Sequence, residues 1–280
     1  MARRLLPGPP MTARTLACLL LPAAACTGTV QRSVRAPHPT VPLQSGQPLE
    51  TGAELGLGLS SVTDVMAPKV GNPSEAVEVP GTQGRAELRF RPGKPPLMLG
   101  VHYEHGFGST SQTPDDTQAP VGPGDVRGYG ASMRYAIPTS TPGLVIGMTV
   151  ELTSWSLPYV EYSTCTNCLT GFTVVDRGRA NPLTLGLGFQ PSWKNGNITL
   201  FGGAFARNHP TTERKSQDEL LFDGDGDVRS GPLNLLLHAG VEVAFSALVS
   251  GIVIVHQNVV ADPVQYGPGV GAGLSIKLGR

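Results

Sequence analysis

The 280-residue sequence predicts an all-β protein: an up-and-down antiparallel transmembrane β-barrel of about ten strands. Three observations predict it. Apolar residues recur at every second position in segment after segment, which is the period of a strand and not of a helix. Long polar connections and tight turns alternate along the chain, as they do when one barrel rim carries large loops and the other short turns. The face opposite the apolar stripe is nearly bare. In "ELGLGLSSV", residues 54–62, Leu55, Leu57 and Leu59 alternate with Gly56, Gly58 and Ser60.

The further strands follow in order. Leu88 and Phe90 alternate with Glu87, Arg89 and Arg91; Leu97, Leu99, Val101 and Tyr103 alternate with Gly100, His102 and Glu104. Tyr129, Ala131, Met133 and Tyr135 face away from Gly128, Gly130, Ser132 and Arg134. Leu144, Ile146, Met148, Val150 and Leu152 oppose Gly147, Thr149 and Glu151. Leu183, Leu185, Leu187 and Phe189 oppose Thr184, Gly186 and Gly188. Residues 197–207 and 247–257 carry apolar residues on both faces. Between those two, Leu233, Leu235, Leu237, Val241, Val243 and Phe245 oppose Asn234, His238, Gly240 and Glu242. The last strand sets Val270, Ala272, Leu274, Ile276 and Leu278 against Gly269, Gly271, Gly273 and Ser275. Short turns lie at 92–96, 138–142, 192–196 and near Ser246, and Asn195-Gly196 is a strong hairpin signal. Long polar connections lie at 62–83, 108–125, 157–180, 208–230 and 257–267. A membrane helix over 235–255 would put Glu242 in hydrocarbon, where an acidic residue costs roughly 2.5–3.5 kcal/mol, and would not explain the alternation.

Polarity decides which face is inside. A soluble barrel coats its exterior with charge, but the face opposite the leucines is mostly Gly, Ser and Thr. Gly weakens a strand unless close packing requires it, so this face fits a narrow lumen and the leucines fit lipid. Phe90, Phe107, Tyr129, Tyr135, Phe189, Trp193 and Phe245 lie on the apolar face near strand ends, where membrane barrels carry aromatic girdles. The residues assigned to the lumen are Glu54, Glu87, Arg89, Arg91, His102, Glu104, Arg134, Glu151, His238, Glu242 and Lys277. Both signs are present, so an ion-paired plug is the simplest expectation. His102 with Glu104, or His238 with Glu242, form the competing acid–base reading.

The N-terminus is organised differently. Arg3 and Arg4, a short apolar run around Leu19–Leu21 and small residues up to Cys26 read as a secretory signal over residues 1–25, too short for a membrane span. Met11 is an alternative start. "AAAC", Ala23 to Cys26, resembles the lipobox of bacterial lipoproteins. That resemblance implies that Cys26 is acylated, palmitate included, becomes the mature N-terminus and is handled by lipoprotein-sorting machinery. Thr27 follows, so the Asp of the inner-membrane retention signal is absent. Residues 26–48 are polar, Pro-bearing and aperiodic, and are expected to form a disordered, lipidated tether ahead of a barrel domain over 49–280. "GAGLSIKL", Gly271 to Leu278, resembles the terminal signal of outer-membrane barrels, although the chain ends in Leu-Gly-Arg where that signal ends in an aromatic. The resemblance implies barrel-assembly machinery and outer-membrane lipid as partners.

The remaining chemistry is sparse. Lys and Arg balance Asp and Glu at 21 each, which argues against a nucleic-acid partner. Cys165 and Cys168, in "CTNC", are expected to form a local disulfide after export, since no second ligand pair supports zinc. Asp223, Asp225 and Asp227 space carboxylates like the opening of a calcium loop, a weak divalent site, but Val228 replaces the Gly and Asn234 the closing Glu. His209 beside Asp218 and Glu219 reads as a polar loop, and no G-x-S-x-G elbow occurs. The expectation is a lipid-anchored outer-membrane barrel, structural or surface-interacting, with a narrow or plugged pore, no cofactor and no enzymatic activity, whose long loops offer a surface to an extracellular ligand. The alternatives are a barrel enzyme acting on lipid or peptide at the outer rim, and a soluble tethered β-sandwich that binds a ligand.

Overall fold

The computed structural model describes residues 30–50, 52–63, 65–66, 75–93, 96–108, 124–164, 172–208, 210, 233–260 and 265–278. In chain order the strands are β1 (Val30–Arg35), β2 (Ala53–Val62), β3 (Val65–Met66), β4 (Glu75–Glu78), β5 (Thr82–Phe90), β6 (Leu97–Phe107), β7 (Val126–Pro138) and β8 (Leu144–Thr164). They continue as β9 (Phe172–Ala180), β10 (Leu183–Asn195), β11 (Ile198–Asn208), β12 (Leu233–Ala244), β13 (Val249–Val260), β14 (Gln265–Tyr266) and β15 (Gly269–Leu278).

Ten of these, β2, β5, β6, β7, β8, β10, β11, β12, β13 and β15, pair antiparallel with their neighbours, and β15 pairs back onto β2. The sheet is therefore closed and leaves no barrel edge to aggregate. Residues 235–255, the alternative membrane helix, lie in the β12–β13 hairpin. Tight turns at one rim are made by Gly143 and Gly196, both at positive φ (79° and 59°), a conformation that glycine tolerates without cost.

Period-two alternation sends the apolar stripe outward on every side. Leu57, Val101, Leu152, Leu187, Leu237 and Leu274, from six different barrel strands, are each about half exposed. Soluble monomers rarely expose an apolar patch beyond roughly 300–600 Å². A belt around the whole circumference needs lipid as its solvent, and the β-sandwich alternative is replaced by a closed transmembrane barrel. The aromatic residues predicted for the girdles are all exposed as well, from Phe90 and Trp193 at the tight-turn rim to Phe107 and Tyr129 at the large-loop rim.

Two features depart from expectation. The 157–180 connection is largely strand: β8 runs for 21 residues, or roughly 70 Å at about 3.3 Å per residue. Its first part, up to Ser156, pairs with β7 in the barrel wall. Leu157–Thr164 rises above the large-loop rim, pairing with β9 on one side and β1 on the other, and β4 joins β1 in parallel. Val34, Val126, Trp155 and Leu157 form the apolar contact that seats this four-stranded cap. β13 likewise extends to Val260, into the expected 257–267 connection.

The second departure is larger. Residues 36–48, expected to be part of a free tether, run with Leu49 through the barrel interior. Ala36, His38, Val41, Gln44, Ser45 and Leu49 are all buried. The physical reason lies in the same composition that suggested disorder. Pro37, Pro39, Pro42 and Pro48 have no N–H, so a Pro-rich segment enters a lumen with fewer buried donors to satisfy.

Candidate functional site

The lumen has two unlike walls. On β5–β8 and β11 the inward positions carry four carboxylates, Glu54 of the adjoining β2 included, and four guanidiniums: Glu54, Glu87, Glu104 and Glu151 against Arg85, Arg89, Arg134 and Arg207, all buried. Arg85 is the hub. It donates to Glu151 at 2.6 Å, to Glu104 at 3.1 Å and to Glu87 at 3.2 Å. Arg207 donates to Glu151 at 3.0 Å and to Glu104 at 3.2 Å. Arg89 pairs with Glu54, and Gln83 donates to Glu104. Equal numbers of each sign let the cluster stay buried without a counter-ion, the condition under which charges tolerate low dielectric. His102 shares a hydrogen bond with Thr153 at 3.0 Å and lies 3.7 Å from Glu104.

The opposite wall is apolar. Phe201, Phe205, Leu236, Ile252 and Ile254 pack against Val41 of the N-terminal segment, with Leu43 beside them. His238 and His256 stand opposite each other in the β12–β13 register and are buried at this side.

The N-terminal strap fits between these walls. Gln190 donates to the Gln44 carbonyl at 2.8 Å, Arg89 to the Gln44 side chain, and Arg134 to the Ser45 carbonyl. Gly46 N–H donates to Ser192 Oγ at 2.6 Å, and Gln47 donates to the Ser192 and Gly143 carbonyls. Arg91 donates to the Leu49 carbonyl at 2.8 Å. Here the bare face finds its reason. A Cβ at Gly147 would lie 2.9 Å from Gly46 Cα, and one at Gly271 would lie 2.7 Å from Leu43 Cδ2. Side chains at these positions would crowd the strap.

The predicted lumen residues are not all at one depth. Arg89, His102, Glu104, Arg134, Glu151 and His238 are buried in the interior. Arg91, Glu242 and Lys277 are only partly buried and stand at the tight-turn rim. There Glu242 accepts from Ser250 at 2.8 Å, and Lys277 reaches Glu50 at 2.6 Å. Lys194 also pairs with Glu50, and the two lysines hold its carboxyl down at about 2. A cavity of about 170 Å³ lies at this rim, lined by Ser45, Glu50, Glu54, Lys194, Glu242 and Lys277 among others. Deeper in, the strap packs closely in a recess bounded by Val41, Leu43, Gln83, Arg85 and Glu104, which leaves no room for a water molecule. Sequence reasoning missed Arg85 and Arg207. Arg85 sits two residues before Glu87, so the strand period alone could have found it; Arg207 sits in a strand apolar on both faces, where no alternation marks the inside.

Glu87, His102 and Glu151 bring one ligand atom each within 4.8 Å of one another, a spacing suited to a cation. The Arg85 guanidinium already lies against both carboxylates, so its charge takes that place. Cys26, Cys165, Cys168, Asp223, Asp225 and Asp227 lie outside the described residues.

The fold and its interior define a class: a transmembrane β-barrel of the outer-membrane type whose lumen is threaded by its own chain. No protein-family model matches the sequence, and no curated protein does. Among solved structures it is similar to the COG4313 outer membrane channel from Pseudomonas putida F1, with 14% identity and a TM-score of 0.47 over 85% of this chain and 99% of that one. It is also similar to the translocator domain of autotransporter NalP from Neisseria meningitidis, with 9% identity and a TM-score of 0.40 over 82% and 90%. The Acinetobacter baumannii outer membrane protein Omp33 shares 11% identity at a TM-score of 0.31, over 83% and 100%. These are likenesses of architecture and go no further.

Proposed function

We propose that the protein is a lipid-anchored barrel of the bacterial outer membrane that is held closed by its N-terminal strap and serves a structural or surface-interacting role. One observation carries this reading: the strap lies against both lumen walls, packed on the apolar one through Val41 and Leu43 and hydrogen-bonded to the polar one through Gln44 and Ser45. The large-loop rim, raised by the β9-β8-β1-β4 cap, offers the surface for an extracellular ligand. Barrel-assembly and lipoprotein-sorting machineries are the partners that such a chain requires during export. An enzymatic reading gains no support from the interior. His102 and Glu104 both have fully buried side chains, and Glu104 is held by Arg85 and Arg207.

Planar-bilayer recording tests the proposal. The full chain is expected to be silent, and a variant lacking residues 27–49 is expected to conduct ions. Steady conductance by the full chain would refute a closed barrel.

A further inference from the structure

The strap's two ends lie at opposite rims, and this fixes the side of the membrane on which the chain begins. At its start, β1 is hydrogen-bonded into the cap between β8 and β4. Arg35 donates to the Gly124 carbonyl at 2.8 Å and to Glu78 at 2.7 Å, and Ala36 N–H donates to the Glu78 carbonyl. All of these partners belong to the large-loop rim. At its end, Gln47 bonds the Gly143 turn, Leu49 accepts from Arg91, and Glu50 pairs with Lys194 and Lys277. All of these belong to the tight-turn rim, where β2 also begins and β15 ends. In outer-membrane barrels the tight turns face the periplasm and the large loops face outward.

We infer that the chain passes once through its own barrel, from outside to periplasm, so that its N-terminus is displayed on the cell surface and a lipid on Cys26 anchors it to the outer leaflet. Val30 pairs with Ser163, beyond the rim that Ser156 marks, and is half exposed. Cys26 precedes it by four residues, a reach of at most about 14 Å. The apolar belt alone is about 25 Å tall, so an anchor at Cys26 cannot return to the inner leaflet. The barrel carries its own N-terminus across the membrane, and the lumen contacts that close the pore also hold this topology. The strap's path rests on the closed-barrel reading; only the anchor clause needs lipidation.

Cysteine accessibility in intact cells tests the inference, in a chain with Cys165→Ser and Cys168→Ser whose labelling sets the background. A membrane-impermeant maleimide is expected to label Val30→Cys equally before and after permeabilisation of the outer membrane. Thr141→Cys, at an exposed tight turn, is expected to gain its label only after permeabilisation. The double variant L43C/G58C reports the path itself. Leu43 Cγ lies 3.3 Å from where a Cβ on Gly58 would sit, so an intramolecular disulfide should form in the folded protein and shift its non-reduced gel migration. Val30→Cys protected until permeabilisation, or no disulfide in a folded double variant, would overturn the inference. Incorporation of an alkyne-palmitate probe, lost in Cys26→Ser, supports the anchor. Absent incorporation alongside surface labelling of Val30→Cys would remove the anchor and leave the threading intact.

Discussion

Replacing Glu151 with Gln removes one of four carboxylates that balance four guanidiniums inside the barrel. Glu151 is 1% exposed and accepts from Arg85 at 2.6 and 3.2 Å and from Arg207 at 3.0 Å. Gln keeps the volume, so no cavity opens; one positive charge is left without a partner. Breaking a buried pair from one side costs about 3–5 kcal/mol. The Gln carbonyl still accepts one N–H, which puts the expected loss near the lower figure, about 3 kcal/mol. Arg207→Met leaves an unpaired carboxylate and should cost a similar amount. The two together leave three charges of each sign. The double variant should therefore lose less than the sum of the singles, by at least about 1 kcal/mol of coupling. Urea unfolding of the refolded protein in detergent, followed by tryptophan fluorescence, reads these values. Trp155 is a suitable reporter, buried at the lumen wall with the Arg207 guanidinium 5.7 Å from its ring. Additive losses, or single losses below about 0.5 kcal/mol as at solvent-screened pairs, would refute the dry, ion-paired interior.

Three further outcomes follow from the same geometry. Gly271→Leu drives a side chain into Leu43; planar-bilayer recording should show conductance where the parent is silent, and silence with unchanged stability would count against the strap's position. Val150→Arg, on the outer face midway along the barrel part of β8, should cost about 2–4 kcal/mol in vesicle refolding, and no loss would mean that this face does not meet lipid. Glu50, with its pKa lowered from 4.5 to about 2 by Lys194 and Lys277, stabilises the folded state above its unfolded pKa, and this contribution fades as pH falls from about 4.5 to about 2. The group is half exposed, so the effect is small. Glu50→Gln should flatten the pH dependence of the unfolding midpoint in that window, and an unchanged profile would argue against the pairing.

The barrel was legible because lipid imposes a one-letter rule on alternate residues. Leu55 to Leu59 or Leu183 to Phe189 can be assigned to a face from period alone, and the glycines opposite them point inward by the same rule. Legibility ended where that rule stops. β11 has Phe201 and Phe205 facing an apolar lumen wall, so Arg207 on the same face gave no contrast. The extension of β8 past Leu157 leaves the membrane, and its Tyr159–Glu161–Ser163 face resembles any polar loop. The strap was hardest to see, because a segment held by side chains from surrounding strands has no ladder of its own and therefore no period. Proline and small polar residues suit it to that task, and they also make it look disordered.

The strap's composition nevertheless matches its surroundings residue by residue, which argues that it is a built part of the barrel and not a passing tether. Val41 and Leu43 meet the wall of Phe201, Phe205, Ile252 and Ile254. Immediately after them, Gln44 and Ser45 meet Arg89, Arg134 and Gln190. Gly46 comes where the Gln190 carbonyl, Ser192 Oγ and the Gly147 backbone leave no room for a Cβ. Shifting the strap by two residues would set Pro42 and Leu43 where Gln44 and Ser45 meet the guanidiniums and would take the Gln44 side-chain acceptor from Arg89, a loss of about 1–3 kcal/mol for a buried donor so exposed. The register is thus fixed from both sides of the lumen. A barrel whose bare glycine face accommodates one particular segment, in one register, is one in which that segment belongs to the folded state.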